Sequence, residues 1–350
     1  MKPKKIIMNR IIKQNSKKLL ILGSMPYLNR PQTIGGATVL TNNFVQFCAK
    51  NAYAYRVVPF NRFKYSIASY LYILLYFAFY LPWSTHVMFN VSENGALKVF
   101  PKLAPFCRLF SKKIIFRKFG GNFSDYLDRY PNKQVVEKFL KSLSFCSTIF
   151  FETNYLVDYF RAKYGDKVHW FPNVRTPVPY RTNCTYSKKF VFVSRVCKEK
   201  GVLEIIDAFK SLPKGFTVDL YGPLDMKISL DNVPNIKYCG VIPPGEVQKV
   251  LVDYNVLLLP TYWKDEGYPG ILIEAMSVGM PMIVTNIGGI CELVTEKNAL
   301  VVYPKDSEML KKTILNYDEY HYQIMRIECL NRFNDSFNSD VVNNKIYNLI

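Results

Sequence analysis

Short apolar runs alternate with longer stretches of helical periodicity along most of this chain, and one proline-rich interruption divides the pattern in two. In the first part the strand candidates are Leu19–Leu22, Tyr55–Val58, His86–Val91, Lys113–Arg117, Thr148–Phe151 and Val168–Phe171. Helix candidates Ala37–Asn51, Ala96–Phe110 and Asn132–Ser144 lie between them. Such alternation predicts βαβ units and a parallel sheet. Residues 172–189, PNVRTPVPYRTNCTYSKK, break every period with Pro172, Pro177 and Pro179 and read as an interdomain linker. The alternation then restarts: Phe190–Val193, Gly201–Leu212, Thr217–Tyr221, Ile236–Tyr238, Gly245–Asp253, Asn255–Pro260, Gly270–Val278 and Met282–Thr285. From about Asp306 to Ile350 the chain reads as helices with no further strand. Two successive doubly wound α/β domains are expected, with ligands beyond the carboxyl ends of their strands.

A length of 350 residues suits two domains of ordinary size, and 49% hydrophobic with 21% charged residues is a globular composition. No internal repeat or low-complexity tract stands out. The formal charge of +19 is unevenly placed. Residues 1–180 hold 27 basic against 7 acidic side chains, residues 181–350 hold 19 against 20, and no acid precedes Glu93. One basic module facing something anionic is implied: nucleic acid, anionic lipid or a phosphorylated substrate.

The eight cysteines are scattered without a CxxC pair or a neighbouring histidine cluster, which points to small core residues in a reducing cytosol rather than to disulfides or zinc. The basic start, MKPKKIIMNRIIKQNSKK, lacks the apolar region and cleavage site of a signal peptide. Residues 68–83, ASYLYILLYFAFYLPW, are uncharged but shorter than the ~20 residues of a membrane-spanning helix, and Pro82 ends them. Tyr70, Tyr72, Tyr76 and Tyr80 recur near helical spacing. Two readings fit equally: a helix lying in a membrane interface with its hydroxyls wet, or a buried helix of the first domain.

Three strand ends in the second half lead into unusual chemistry. After FVFV, Arg195 and Lys200 sit on a strand-to-helix loop, where a forked guanidinium and a mobile ammonium suit a diphosphate; a solvated basic turn is the plain alternative. After VLLLP comes TYWKDEGYPGILIEAM, in which Gly267, Tyr268, Pro269 and Gly270 form a tight turn ahead of a helix ended by Gly279 and Pro281. A helix N-terminus attracts anions, and Glu266 and Glu274 would flank such an anion and accept from hydroxyls on either side. After MIVT, a third glycine-rich turn carries Glu292, expected to cap the incoming helix or to touch substrate.

FVFVSRVCKEKGVLEIIDAF followed by DEGYPGILIEAMSVGMPMIVTNIGGICELV resembles the donor-binding half of the group 1 (family 4) glycosyltransferases, retaining enzymes of the GT-B fold. The resemblance is close over roughly residues 186–305 and extends to the first half only in layout. It implies two Rossmann-like domains facing across a cleft: residues 1–175 for the acceptor and membrane, 186–325 for the nucleotide sugar, and a helix at 326–350 returning to the first domain. It implies that Arg195 and Lys200 hold the diphosphate, that Glu266 hydrogen-bonds the donor sugar and is the key catalytic side chain, and that Glu274 takes the ribose hydroxyls. The backbone from Gly267 through Ile271 would cradle sugar and phosphate, Cys239, Gly240 and Val241 would lie near the base, and Gly35 and Gly36 in Ile34-Gly35-Gly36-Ala37 would approach the donor phosphates.

In Phe116-Arg117-Lys118-Phe119-Gly120-Gly121-Asn122, many relatives have a histidine where this chain has Phe119, so no catalytic histidine carries over. Arg117 and Lys118 read as ordinary surface charges or as acceptor contacts. With three histidines, His86, His169 and His321, none of them beside a glycine-rich loop, no general base is assigned. The chain has no Asp-x-Asp triplet, so leaving-group charge falls to Arg195, Lys200 and the helix terminus, and neither metal nor other cofactor is expected.

The expected activity is transfer of a sugar from a UDP- or GDP-sugar to a glycan or lipid-linked acceptor in capsule, O-antigen or exopolysaccharide assembly. The expected place is cytoplasmic, peripheral on the inner face of an anionic membrane, with no nucleic-acid partner. Two alternatives stand behind it. An epimerase-like GT-B enzyme would need an acid and base pair beside the sugar, and none is visible. A non-enzymatic membrane or nucleic-acid binder would leave Arg195, Lys200, Glu266 and Glu274 without a purpose.

Overall fold

The computed structural model describes residues 17–26, 35–61, 67–230, 233–243 and 245–350. The reading of residues 1–16 and the position of Ile34 fall outside these.

The first domain contains β1 (Lys18–Gly23), α1 (Gly36–Lys50), β2 (Ala54–Pro59), α2 (Ile67–Tyr80), β3 (His86–Val91), α3 (Phe100–Leu109), β4 (Lys113–Lys118), α4 (Phe123–Arg129), α5 (Lys133–Leu143), β5 (Thr148–Phe151), α6 (Asn154–Tyr164) and β6 (Val168–Trp170). The second contains β7 (Lys189–Val193), α7 (Val202–Lys210), β8 (Thr217–Tyr221), β9 (Ile236–Tyr238), α8 (Val247–Leu251), β10 (Val256–Leu259), α9 (Gly270–Val278), β11 (Met282–Thr285), α10 (Ile290–Leu293), β12 (Ala299–Val302) and α11 (Ser307–Leu315). Then follow α12 (Glu319–Arg332) and α13 (Ser339–Leu349).

The strands form two six-stranded parallel sheets, ordered β2-β1-β3-β4-β5-β6 and β12-β11-β10-β7-β8-β9. Because side chains alternate across a strand, β1 sends Leu20 and Leu22 into one core and Leu19 and Ile21 into another, so the first sheet is buried on both faces. The second core gathers Phe190, Phe192, Leu257, Leu259 and the apolar side of α9. The C-terminal helix crosses back as the fold class required. Val342, Ile346 and Tyr347 of α13 pack with Phe44 and Phe47 of α1, and Tyr347 stacks on Tyr53 with ring centroids 3.7 Å apart. Residues 171–188 carry no helix or regular strand, in keeping with three prolines that withhold backbone donors.

Several local expectations change. β12 has no counterpart among the expected strands: it is short, lies at the sheet edge and pairs with β11 alone. The continuous helix expected over 96–110 is a π-helical turn, Gly95–Val99, followed by α3, because Pro101 at the start of α3 and Pro105 within it lack N–H donors for a regular ladder. The cysteines are not all core residues: Cys184 and Cys291 are exposed and Cys239 is half-buried, while all eight are free thiols.

The reading of residues 68–83 as a buried helix of the first domain holds for one side of the helix only. Ser69, Ile73 and Phe77 alone are buried along α2, a single i, i+4, i+8 stripe. Ile67, Leu71, Leu74, Leu75 and Phe79 face outward, Leu75 and Phe79 with 69% and 73% exposure. α3 lies alongside: Lys102 holds its ammonium 5.9 Å from the centre of the Tyr70 ring, and Phe106, Leu109 and Phe110 at its end are exposed as well. Among the described residues, no helix is long and apolar enough to cross a membrane.

Candidate functional site

In an open parallel sheet the ends of two neighbouring strands gape where the strand order reverses, which leaves room for a ligand. In the second sheet this happens between β7 and β10. The loop after β7 carries Arg195 and Lys200, and the loop after β10 carries Glu266. Gly201, with φ +80°, passes so close to the Pro260 carbonyl that no Cβ could fit, and this close crossing brings the two loops into contact. Lys200 Nζ pairs with Glu266 Oε1, each side chain only 10% exposed. Arg195 stays apart. It is half-exposed, reaches Asp225 at 3.3 Å and lies 5.1 Å from the Trp263 ring centre.

The turn at Gly267, Tyr268 and Pro269 delivers the chain into α9, which starts at Gly270 and Ile271 without a side-chain cap. The N–H groups of Gly270 and Ile271 therefore have no capping side chain, and Gly270 lines the cavity between the domains. Against Gly270 lies the guanidinium of Arg175, which a Cβ there would have to push aside. Arg175 Nε donates to Glu274 Oε1 at 2.6 Å, and both side chains are largely buried. Glu274 thus meets a linker cation that the sequence reading did not single out. The third glycine turn braces the second: Gly289 N donates to Glu266 O at 2.8 Å.

The first domain completes the site. Glu152, buried at the end of β5, accepts from Gly120 N and from Tyr268 N, both at 3.0 Å, so one carboxylate joins backbone donors from the two domains. Trp170 Nε1 donates to Glu152 O at 2.9 Å and to the Tyr268 hydroxyl at 3.3 Å. That hydroxyl donates to Glu292 Oε2 at 2.6 Å, and burial followed by this hydrogen bond pushes the Tyr268 phenol well above its usual value. Glu292 does not cap its own helix, and it lines a cavity of about 390 Å³ together with Glu266, Gly288 and Gly289. Its oxygens accept from Asn154 N and Tyr155 N, at 2.6 and 3.0 Å, at the start of α6 across the domain boundary.

A cavity of about 330 Å³ between the domains is lined by Gly36, Phe119, Arg175, Glu266, Gly267 and Gly270, among others. The structure therefore gathers Gly36, Glu266, Gly267, Tyr268, Pro269 and Gly270 around one space, with Lys200 joined to it through Glu266. Gly35 caps α1 just outside that lining, and Cys239, Gly240 and Val241 follow edge strand β9, Val241 being exposed. Arg117 and Lys118 are not surface charges. Both are buried to 1% exposure; Arg117 lies 3.2 Å from the centre of the Phe171 ring, and Lys118 pairs with Glu93 at 2.7 Å.

Glu152 and Arg175 escaped the sequence reading. An acid at the carboxyl end of the apolar run TIFF was a usable signal for the first. For Arg175 no local signal existed, since its partner Glu274 lies 99 residues away.

Residues 187–317 match the family model for glycosyl transferases group 1. The putative teichuronic acid biosynthesis glycosyltransferase TuaC of Bacillus subtilis strain 168 is 31% identical over 138 residues, covering 39% of this chain and 34% of that protein. The putative colanic acid biosynthesis glycosyltransferase WcaL of Escherichia coli K12 is 27% identical over 197 residues, covering 50% of this chain and 47% of that protein. The chain thus spans about a third to a half of the length of these relatives. Anabaena Alr3699/HepE, solved in complex with UDP, superposes with a TM-score of 0.71 at 13% identity over 95% of this chain and 98% of its own. Residues 187–317 thus resemble the group 1 glycosyl transferases, and the two domains together have the GT-B fold.

Proposed function

We propose that the protein is a retaining glycosyltransferase that moves a sugar from a UDP- or GDP-sugar onto a lipid-linked glycan acceptor during assembly of a surface polysaccharide, working at an anionic membrane. The observation that carries this reading is the Lys200–Glu266 pair, nearly buried at the switch point of the second sheet and adjoining the uncapped start of α9. An arriving diphosphate carries more negative charge than one carboxylate, so Lys200 would turn to it and release Glu266 to accept from a hydroxyl of the donor sugar. The N–H groups of Gly270 and Ile271 would meet the same phosphates, and Arg195 would swing in from Asp225. Charge developing on the departing phosphate would then be met by groups already in place, the preorganisation that lowers barriers to group transfer.

Glu274, freed from Arg175 by the same arriving anion, would hold the ribose hydroxyls. In the front-face mechanism of a retaining transferase the leaving phosphate itself helps deprotonate the acceptor, which suits a cleft lined by Phe119 rather than a histidine. The names of TuaC and WcaL support a polysaccharide product, and the UDP complex of HepE supports a uridine nucleotide. The basic first half and the outward apolar face of α2 support a membrane-borne acceptor.

Thermal-shift titration with UDP-, GDP- and ADP-sugars tests the donor assignment. Glu266→Ala should abolish transfer with the fold intact, and Lys200→Ala should weaken donor binding at least tenfold. Full activity in both variants would reject the site.

A further inference from the structure

We propose that Glu292 and Tyr268 are a positioning pair, through which contact with the first domain fixes the loop that carries Glu266; what that loop does rests on the transferase reading above. Residues 266–269, between β10 and α9, have no helix or strand of their own. Such a segment keeps one shape only where other groups hold it. From the second domain the hold is backbone: Gly289 N donates to Glu266 O, and a Cβ on Gly289 would stand 2.4 Å from Gly267 O. The remaining holds converge on Tyr268. Its N–H donates to Glu152 of the first domain, and its carbonyl accepts from Asn173 Nδ2 of the linker at 2.9 Å. Its ring, 4% exposed, meets Trp170 and Phe337 edge to face, and its hydroxyl donates to Glu292.

Glu292 is half-buried and serves both domains with one carboxylate. Oε2 accepts from the Tyr268 hydroxyl and from Asn154 N, while Oε1 accepts from Tyr155 N. Asn154 and Tyr155 open α6, an 11-residue helix whose own cap, Thr153, accepts from Leu156 N. Two N–H groups of its first turn are thus left for an acid from the other domain, which the positive end of the helix also favours. These bonds last only while the domains touch. With α6 withdrawn, Glu292 would turn to water through the cavity it lines, and the Tyr268 hydroxyl would lose a fixed acceptor. Glu266 stands two residues from Tyr268. A shift of an ångström at a reacting centre can cost about a hundredfold in rate, so a loose phenol reaches the chemistry through the backbone. Arg195 and the start of α9 take no part in these bonds, and nucleotide affinity should survive their loss.

The test uses the full chain, with hydrogen exchange read by mass spectrometry, calorimetric titration of UDP, and turnover of UDP-glucose. Glu292→Ala should exchange at least tenfold faster both at the start of α6 and at residues 266–269, with β10 unchanged. Its UDP affinity and KM should stay within threefold of wild type while kcat falls at least tenfold, a split that a merely stabilising residue would not give. Tyr268→Phe should loosen residues 266–269 alone, because Glu292 still holds α6. In the double variant kcat should be no lower than in Glu292→Ala, since the two side chains act through one bond. Glu292→Gln keeps the size of the side chain and guards against misfolding; its amide oxygen should restore part of the protection of α6. The inference is overturned if Glu292→Ala leaves exchange at residues 266–269 or kcat within twofold of wild type, for Glu292 would then be a helix cap only. Fully additive losses in the double variant would overturn it too. Failure of wild type to bind UDP or to turn over UDP-glucose bears on the donor reading, while exchange at residues 266–269 still decides the positioning pair.

Discussion

Gly121 of the first domain and Gly267 of the second meet face to face: a Cβ built on Gly121 would lie 2.7 Å from Gly267 Cα, and one on Gly267 would lie 2.8 Å from Gly121 N. Neither has a positive φ, so what each supplies is an absence of side chain at a backbone-to-backbone crossing. The cleft edge is closed by this crossing. Gly121→Val should wedge the domains apart and lower transfer at least tenfold, a barrier change of about 1.4 kcal/mol or more, while circular dichroism stays unchanged. Activity within twofold of wild type would show that the crossing is not needed for the reaction.

Glu152 supplies the acceptor for two N–H groups on opposite sides of the cleft, that of Tyr268 buried and that of Gly120 half-buried. Glu152→Ala leaves both donors without it, and the cost should be about 2 kcal/mol of stability or more, seen as a lower denaturant midpoint. Glu152→Gln should not restore wild-type stability, because one arm of the amide would present a donor to a donor. A wild-type midpoint for Glu152→Ala would mean that both N–H groups find other partners.

The outward face of α2 should bind membranes. Replacing Leu75 and Phe79 together by Glu adds negative charge and removes apolar area from the face that is already most exposed. Co-sedimentation with vesicles of anionic phospholipid should be strong for wild type at low salt, fall as salt rises, and be lost in the double variant. Nucleotide binding should be unaffected, since α2 does not line the interdomain cavity.

His86 predicts a pH dependence. Burial first, and then the nearby Lys113 and Lys17, lower its pKa from 6.5 to about 4. Below pH 6.5 the unfolded chain takes up a proton that the folded one refuses, so stability falls as pH drops from about 6.5 towards 4 and this contribution then levels off. Thermal midpoints measured across that range should slope less steeply in His86→Gln. An unchanged slope would assign the acid sensitivity elsewhere.

Much of the framework was legible in one dimension. Runs such as FVFV and VLLL are apolar, short and bounded by turn residues, and β3, β5, β8, β9, α9 and β11 appear with the limits their patterns imply. The cationic turn after β7 and the glycine-rich turns after β10 and β11 were legible for the same local reason. What misled was context. Arg117 and Lys118 look like surface charges because nothing in Phe116–Asn122 shows that Phe171 and Glu93 will enclose them. Glu292 looks like the cap of the helix it enters, whereas α6 presents its free N–H groups from the other domain.

The order of residues by itself determined two parallel α/β sheets, the turns at their strand ends and the types of charge placed there, because each depends on periodicity and on backbone freedom within a few residues. Only the tertiary structure decided which charges face one another. Lys200 with Glu266, Arg175 with Glu274 and Glu152 with Tyr268 are 66, 99 and 116 residues apart, and such pairs form where two sheets and their crossing loops leave a space too dry for a lone charge.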